Sequence, residues 1–167
     1  DSLTIRDGEV WGINADEGES ADGITAYDAG NKNVHVVRCN VRDIHKHHGV
    51  HISGENVSIS NCSVRGTMPR YASFMVGHTV RGNVGNYAAI TNCYGTGGSY
   101  GVWAREFLGV QIQGGSYTNC DRGVYLEECK HVVIDGGTLL HPVKVVAVHN
   151  NKSENVLLGT FVAAGDK

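Results

Sequence analysis

A short apolar phrase returns along this chain at a nearly fixed interval, and few folds tolerate such a register. It reads Val34-His35-Val36 with Cys39 behind it, then Val57-Ser58-Ile59 with Cys62, then Ala88-Ala89-Ile90 with Cys93. It continues as Val110-Gln111-Ile112 with Gly115, Val132-Val133-Ile134 with Gly137 and Val156-Leu157-Leu158 with Phe161; Leu3-Thr4-Ile5 with Gly8 is an earlier copy. Successive copies begin 31, 23, 31, 22, 22 and 24 residues apart, so the two long intervals read as one repeat plus an insertion. A second phrase lies between the copies: Gly23-Ile24-Thr25-Ala26, Gly49-Val50-His51-Ile52, Ala72-Ser73-Phe74-Met75, Gly101-Val102-Trp103-Ala104 and Gly123-Val124-Tyr125-Leu126, with a looser copy over 144–148. Both phrases alternate with period two, the mark of a strand that buries one face.

Short strands repeating at 22–24 residues describe one coil of a solenoid, which buries its apolar face only by stacking on the next coil. A propeller blade needs about 40 residues and a leucine-rich repeat needs Leu at fixed offsets, and neither fits. Nothing in a β-sandwich requires this register. The 23 Gly suit tight turns, Val and Ile suit strands, and no long stretch carries a helical apolar stripe. The expectation is an all-β chain, a parallel β-helix of six to seven coils, with residues 1–167 as one domain and loop insertions near 9–22 and 78–87.

Equivalent positions of stacked coils form ladders about 4.8 Å apart. Cys39, Cys62 and Cys93 share one such ladder and read as buried free thiols. The outward ladder of the second phrase reads Thr25, His51, Met75, Trp103, Tyr125, and two positions on it reads Tyr27, Ser53, Gly77, Arg105, Glu127. Aromatic rings on an exposed sheet face call for a cover. A sugar ring would stack on Trp103 and Tyr125, with His51, Arg105 and Glu127 bonding its hydroxyls; a subunit interface is the competing reading. The turn before the second phrase is the most polar station. Its last position carries Asp22, His48, Tyr71, Tyr100 and Arg122, flanked by His47, Arg70 and Asp121. An acid, imidazoles, phenols and guanidinia in one column are the parts of a polysaccharide-cleaving site. A base and a cation suffice for elimination from a uronic acid, whereas hydrolysis needs two carboxylates about 5–9.5 Å apart.

The stretch from Asp22 to Cys62 resembles the pectin-lyase-like superfamily of right-handed β-helices, which includes pectate lyases, polygalacturonases, alginate-modifying enzymes and phage tailspike depolymerases. The resemblance covers the whole chain as coil pattern. It implies a polysaccharide partner, an extracellular or virion-surface setting and, for the tailspike likeness, a homotrimer. Asp22-Gly23 resembles the first element of the polygalacturonase site, but His47-His48 stand where a pair of acids is expected, which favours a lyase or a binder over a hydrolase. The alternative is a non-catalytic structural shaft of a trimeric virion or surface protein. The absence of a capping helix at either end points to a piece of a longer chain or to ends covered by other chains.

A net charge of −3 argues against a nucleic-acid partner, and no apolar run is long enough to span a membrane. His45, His47, His48 and His51 read as a solvated turn, so no metal ligand set is assigned. Zinc or copper on the histidine cluster is the minor reading; Glu9, Asp16, Glu17 and Glu19 crowd one expected loop, where calcium is left open, although the spacing matches no calcium-loop motif. No other cofactor is expected.

Overall fold

The alternation read from the sequence becomes three sheets running the length of a solenoid. A computed structural model describes residues 2–12, 21–26, 30–66, 70–78, 82, 84–136, 138–140 and 143–163. The first sheet holds β1 (Leu3–Arg6), β4 (Val34–Val37), β7 (Val57–Ser60), β10 (Ala88–Thr91), β13 (Val110–Gln113), β16 (Lys130–Asp135) and β19 (Glu154–Leu158). The second holds β2 (Glu9–Trp11), β5 (Asn40–Ile44), β8 (Ser63–Gly66), β11 (Tyr94–Thr96), β14 (Ser116–Thr118), β17 (Thr138–Leu140) and β20 (Phe161–Ala163). The third holds β3 (Ile24–Ala26), β6 (Val50–Ile52), β9 (Ala72–Val76), β12 (Tyr100–Arg105), β15 (Cys120–Glu127) and β18 (Val143–Asn151). Every strand pair is parallel, and each strand bonds the strands one coil before and one coil after. Among the described residues there is no helix, hence none long and apolar enough to cross a membrane.

The predicted anchors stack in the predicted register. Leu3 lies over Val34, Ala88 over Val57 and Val110, and Val132 over Val110 and Val156. Inward positions make continuous apolar columns such as Val36, Ile59, Ile90, Ile112 and Ile134, all fully buried. The cysteine ladder is also inward: Cys39, Cys62 and Cys93 are buried free thiols whose Sγ atoms lie 3.5, 3.3 and 3.4 Å from the carbonyls of Val37, Ser60 and Thr91. One residue per coil turns the chain from the first sheet to the second in left-handed backbone geometry, at Asp7, Arg38, Asn61 and Asn92 with φ of 55°, 52°, 52° and 50°. Asn tolerates that region better than most residues. Arg38 takes it while ion-paired to Asp7.

The corner between the second and third sheets packs by size. A Cβ on Gly23, Gly49 or Gly101 would meet Val41, Val64 or Tyr117 at 2.4, 2.2 and 2.5 Å. One coil reverses the order: Ser73 has the side chain there, and Gly95 of β11 is the small partner, 2.8 Å from the Ser73 Cβ if it had one of its own. The ring of Tyr117 fills the next level, wholly buried, with no hydrogen-bond partner for its hydroxyl. Burying an unbonded hydroxyl costs about 1–3 kcal/mol. Tyr117→Phe is therefore expected to leave stability unchanged or raise it by up to about 1 kcal/mol, read as an unchanged or higher urea midpoint; a lower midpoint would show that the hydroxyl is satisfied.

Three details differ from the sequence reading. The stretch 9–22, expected to be a loop, begins with β2, because Glu9, Val10 and Trp11 pair with Asn40, Val41 and Arg42. The loose copy placed at 144–148 lies instead at Ala147–Asn150, since Val124 faces Val148 and Tyr125 faces His149. In β9, Phe74 rather than Ser73 is level with Val50. The expected calcium-loop residues Asp16, Glu17 and Glu19, together with Tyr27 and most of 79–83, lie outside the described residues.

Candidate functional site

Parallel pairing in the third sheet fixes what lies beside what. The outward ladder runs Thr25, His51, Met75, Trp103, Tyr125 and on to His149. The polar column before it needs one correction. Tyr100 is level with Arg122 on one side and with Ala72 on the other, so Ala72, not Tyr71, occupies the position shared by Asp22 and His48. Tyr71 still reaches the same place by its ring, 4.2 Å from that of His47 and 5.1 Å from that of His48. The expected exposure of this face also needs correction: His51 and Met75 are buried, and Trp103 and Tyr125 are half-buried.

At one end of the column Asp22 organises three histidines. Its carboxylate is 5% exposed and accepts from His47 Nδ1, from His51 Nδ1 at 3.0 Å and from the His48 backbone N–H at 3.1 Å. Burial alone would raise this carboxyl. The hydrogen bonds from His51 and His47, with the nearby imidazole field, outweigh burial and hold it at about 2. Asp22 is thus a carboxylate whose role is to fix rings. His51 also contacts the Gly77 carbonyl through Nε2 at 3.0 Å, which locks it between two acceptors. His48 is different. Its Nδ1 accepts the Ala72 N–H at 3.1 Å, so a neutral ring carries its proton on Nε2. Burial, helped by the neighbouring His51 charge, pushes His48 down to about 3. The turn expected to be solvated is so only in its first half: His45 and Lys46 are exposed, whereas His48 is 4% exposed and the His47 side chain 17%. With Nδ1 spent on Asp22, His47 keeps Nε2 for an outside partner, the arrangement of an oriented base.

At the other end lies an aromatic and guanidinium strip. Tyr100 stacks on Tyr125 at 5.0 Å, Trp103 packs tilted against both at 5.1 and 5.6 Å, and Arg122 lies 5.5 Å over the Tyr100 ring. Glu127 is held by Trp103 Nε1 at 3.2 Å and by Arg105 Nε at 3.5 Å. Asn151 donates to the Tyr125 hydroxyl at 3.1 Å. His48 and Trp103, 5.8 Å apart, join the two ends. Three strand steps separate His48 from Arg122, about 14 Å along the axis. The predicted residues therefore make one long strip, with the acid and imidazoles at one end and most of the aromatic rings at the other.

Two predicted residues stand outside the packed part. Arg70 is exposed at the rim, its backbone N–H bonded to Ser99 Oγ at 2.8 Å. Asp121 is half-buried on β15 beside Arg122. Asp22 and Glu127 lie four strand steps apart along the axis, so at least about 19 Å, too far for a hydrolytic carboxylate pair, which needs about 9.5 Å or less. The clamp of Asp22 on His51 was not legible, because the sequence marks His51 as an outward rung and as part of a histidine-rich turn, but not as a partner of the acid one coil before.

A family model for a right handed beta helix region matches residues 22–163. Neither the curated proteins nor the solved structures contain a match to the chain. With parallel stacking throughout and most of its length matched, the chain belongs to the right-handed β-helix family.

Proposed function

We propose that the strip on the third sheet binds an acidic polysaccharide and that its Asp22 end cleaves it by elimination. The observation that carries this reading is the Asp22–His47 pair, a buried carboxylate that orients a partly exposed imidazole. His47 Nε2 takes the proton from C5 of a uronic acid. The electrons of that C–H bond form the C4–C5 double bond, and the bond from C4 to the glycosidic oxygen breaks. The leaving oxygen takes a proton from the Tyr71 hydroxyl, whose ring lies against His47. Arg70, the chain neighbour of Tyr71, neutralises the uronate carboxyl from the rim. His48 stays neutral and holds the turn by its bond to Ala72. Trp103, Tyr100, Tyr125 and Arg122 bind further units of the same polymer, because the strip is several sugar rings long.

Near-ultraviolet absorbance of the unsaturated product tests this on pectic, alginate and capsular polymers. His47→Ala is expected to lower kcat by about 10²–10⁴-fold, and Arg122→Ala to raise KM with kcat nearly unchanged. Equal activity of wild type and His47→Ala would remove the proposed base. A wild type that retains polymer but releases no product would instead be a binding shaft. An extracellular or virion-surface setting and a trimeric assembly belong to this reading, and sedimentation tests the latter.

A further inference from the structure

The second sheet presents an outward face that the proposed site does not use. Its outward positions form two ladders: Asn40, Ser63, Tyr94 and Ser116, and beside them Arg42, Arg65, Thr96 and Thr118. Between the ladders runs an open trough of about 450 Å³, floored by the backbone at Val64 and Gly95. The side-chain positions of Val64 and Gly95 point inward, where a Cβ on Gly95 would meet Ser73 at 2.8 Å, so the trough's walls come from the two outward ladders alone. Two arginines and no acid line the trough, in a chain whose net charge is −3. Arg42 shares its charge with Glu9 at 3.0 Å, while Arg65 forms no ion pair among the described residues. Tyr94 is 57% exposed, a large apolar ring left open on a polar surface. Ser63 donates to Asn40 Oδ1 at 2.7 Å, which leaves the Asn40 amide hydrogens for an outside acceptor.

We propose that this trough is a second polysaccharide-binding site for an anionic chain, separate from the strip on the third sheet. The Arg65 guanidinium takes a sugar carboxylate, the Tyr94 ring takes the apolar face of a sugar, and Asn40 and Thr96 bond hydroxyls. Polymer sugars and strands both repeat at short, regular intervals, so successive rungs meet successive units. The β5 strand runs from the trough directly into the turn that carries His47 and His48. A chain held on the second sheet is thereby kept beside the cleaving end. The inference rests on the carbohydrate reading for its ligand class, but not on catalysis.

Affinity electrophoresis of the full chain in gels containing polygalacturonate, alginate or neutral dextran separates the outcomes. The expected result is retardation by at least one anionic polymer, weakened by salt and absent in dextran. Arg65→Ala with Tyr94→Ala should weaken it about fivefold or more, while cleavage of oligomers too short to reach both faces stays unchanged. Retardation that persists in the double variant but is lost on Trp103→Ala would assign all binding to the third sheet and overturn the proposal. So would a wild type retarded by neither anionic polymer, or retarded equally by dextran. Loss of cleavage in His47→Ala with trough binding intact, or trough binding in a protein that cleaves nothing, leaves the second site standing while the elimination reading rises or falls by itself.

Discussion

Gly49→Ala is expected to destabilise the protein by about 3 kcal/mol or more, at or beyond the upper range of ordinary overpacking. The added methyl would lie 2.2 and 2.9 Å from the two methyls of Val64 and 2.7 Å from the Ser73 carbonyl oxygen. None of these is the tip of a long side chain that could swing aside. Urea denaturation checks the size of the effect. Val64→Ala in the same chain removes the first two contacts and leaves the third, so it should recover part of the loss. That recovery is a coupling between neighbours and is measured by a double-mutant cycle. If the two substitutions simply added, the corner would not be packed as described.

The second large effect is loss of stability in acid. His48 titrates near 3 when folded, against an ordinary value of 6.5. Between those values the unfolded chain binds a proton that the folded chain refuses, so stability falls as the pH drops from 6.5 toward 3. Asp22, held at about 2 against 3.8, adds a further loss as the pH falls below 4. The two act in the same direction. For His48 alone the linkage amounts to something on the order of 4 kcal/mol, a large share of what holds a domain of this size together. His47, His51, Tyr71 and Trp103 pack around the ring, and Asp22, bonded to the His48 backbone N–H, is the acid whose charge reaches it. His48→Gln removes the titrating ring while leaving a side-chain acceptor for the Ala72 N–H. Its unfolding midpoint should fall less steeply between pH 6.5 and pH 4 than that of wild type. Parallel curves for the two proteins would mean that His48 is not the group responsible.

The fold was legible because apolar positions recur in a strict register, and register is what parallel stacking demands. Val57 over Val34 and Trp103 beside Tyr125 follow from the interval alone. The site was legible as a column of residue types but not as a geometry. Tyr71 was placed one position out because the small residue of that phrase was taken as Ala72. The structure puts Ser73 at the corner instead, where Gly95 opposite makes room for it. A sequence shows that a corner residue is small, but not how small its partner across the corner must be. Burial of His51 and Met75 was missed for a related reason: alternation tells which way a side chain points, not what lies over it. The trough had a signal that went unread, the recurring polar–apolar–polar triplets Asn40-Val41-Arg42, Ser63-Val64-Arg65 and Ser116-Tyr117-Thr118. Each sits a fixed step after an anchor.

Among the described residues every strand pairs only with the coil before and the coil after, so no two consecutive strands are joined as a hairpin. The first two coils to meet must close loops of more than twenty residues before any pairing rewards them. Each later coil then docks on a finished template. Growth of the native structure is thus slow to start and quick to extend, in the manner of a crystal that waits for its seed.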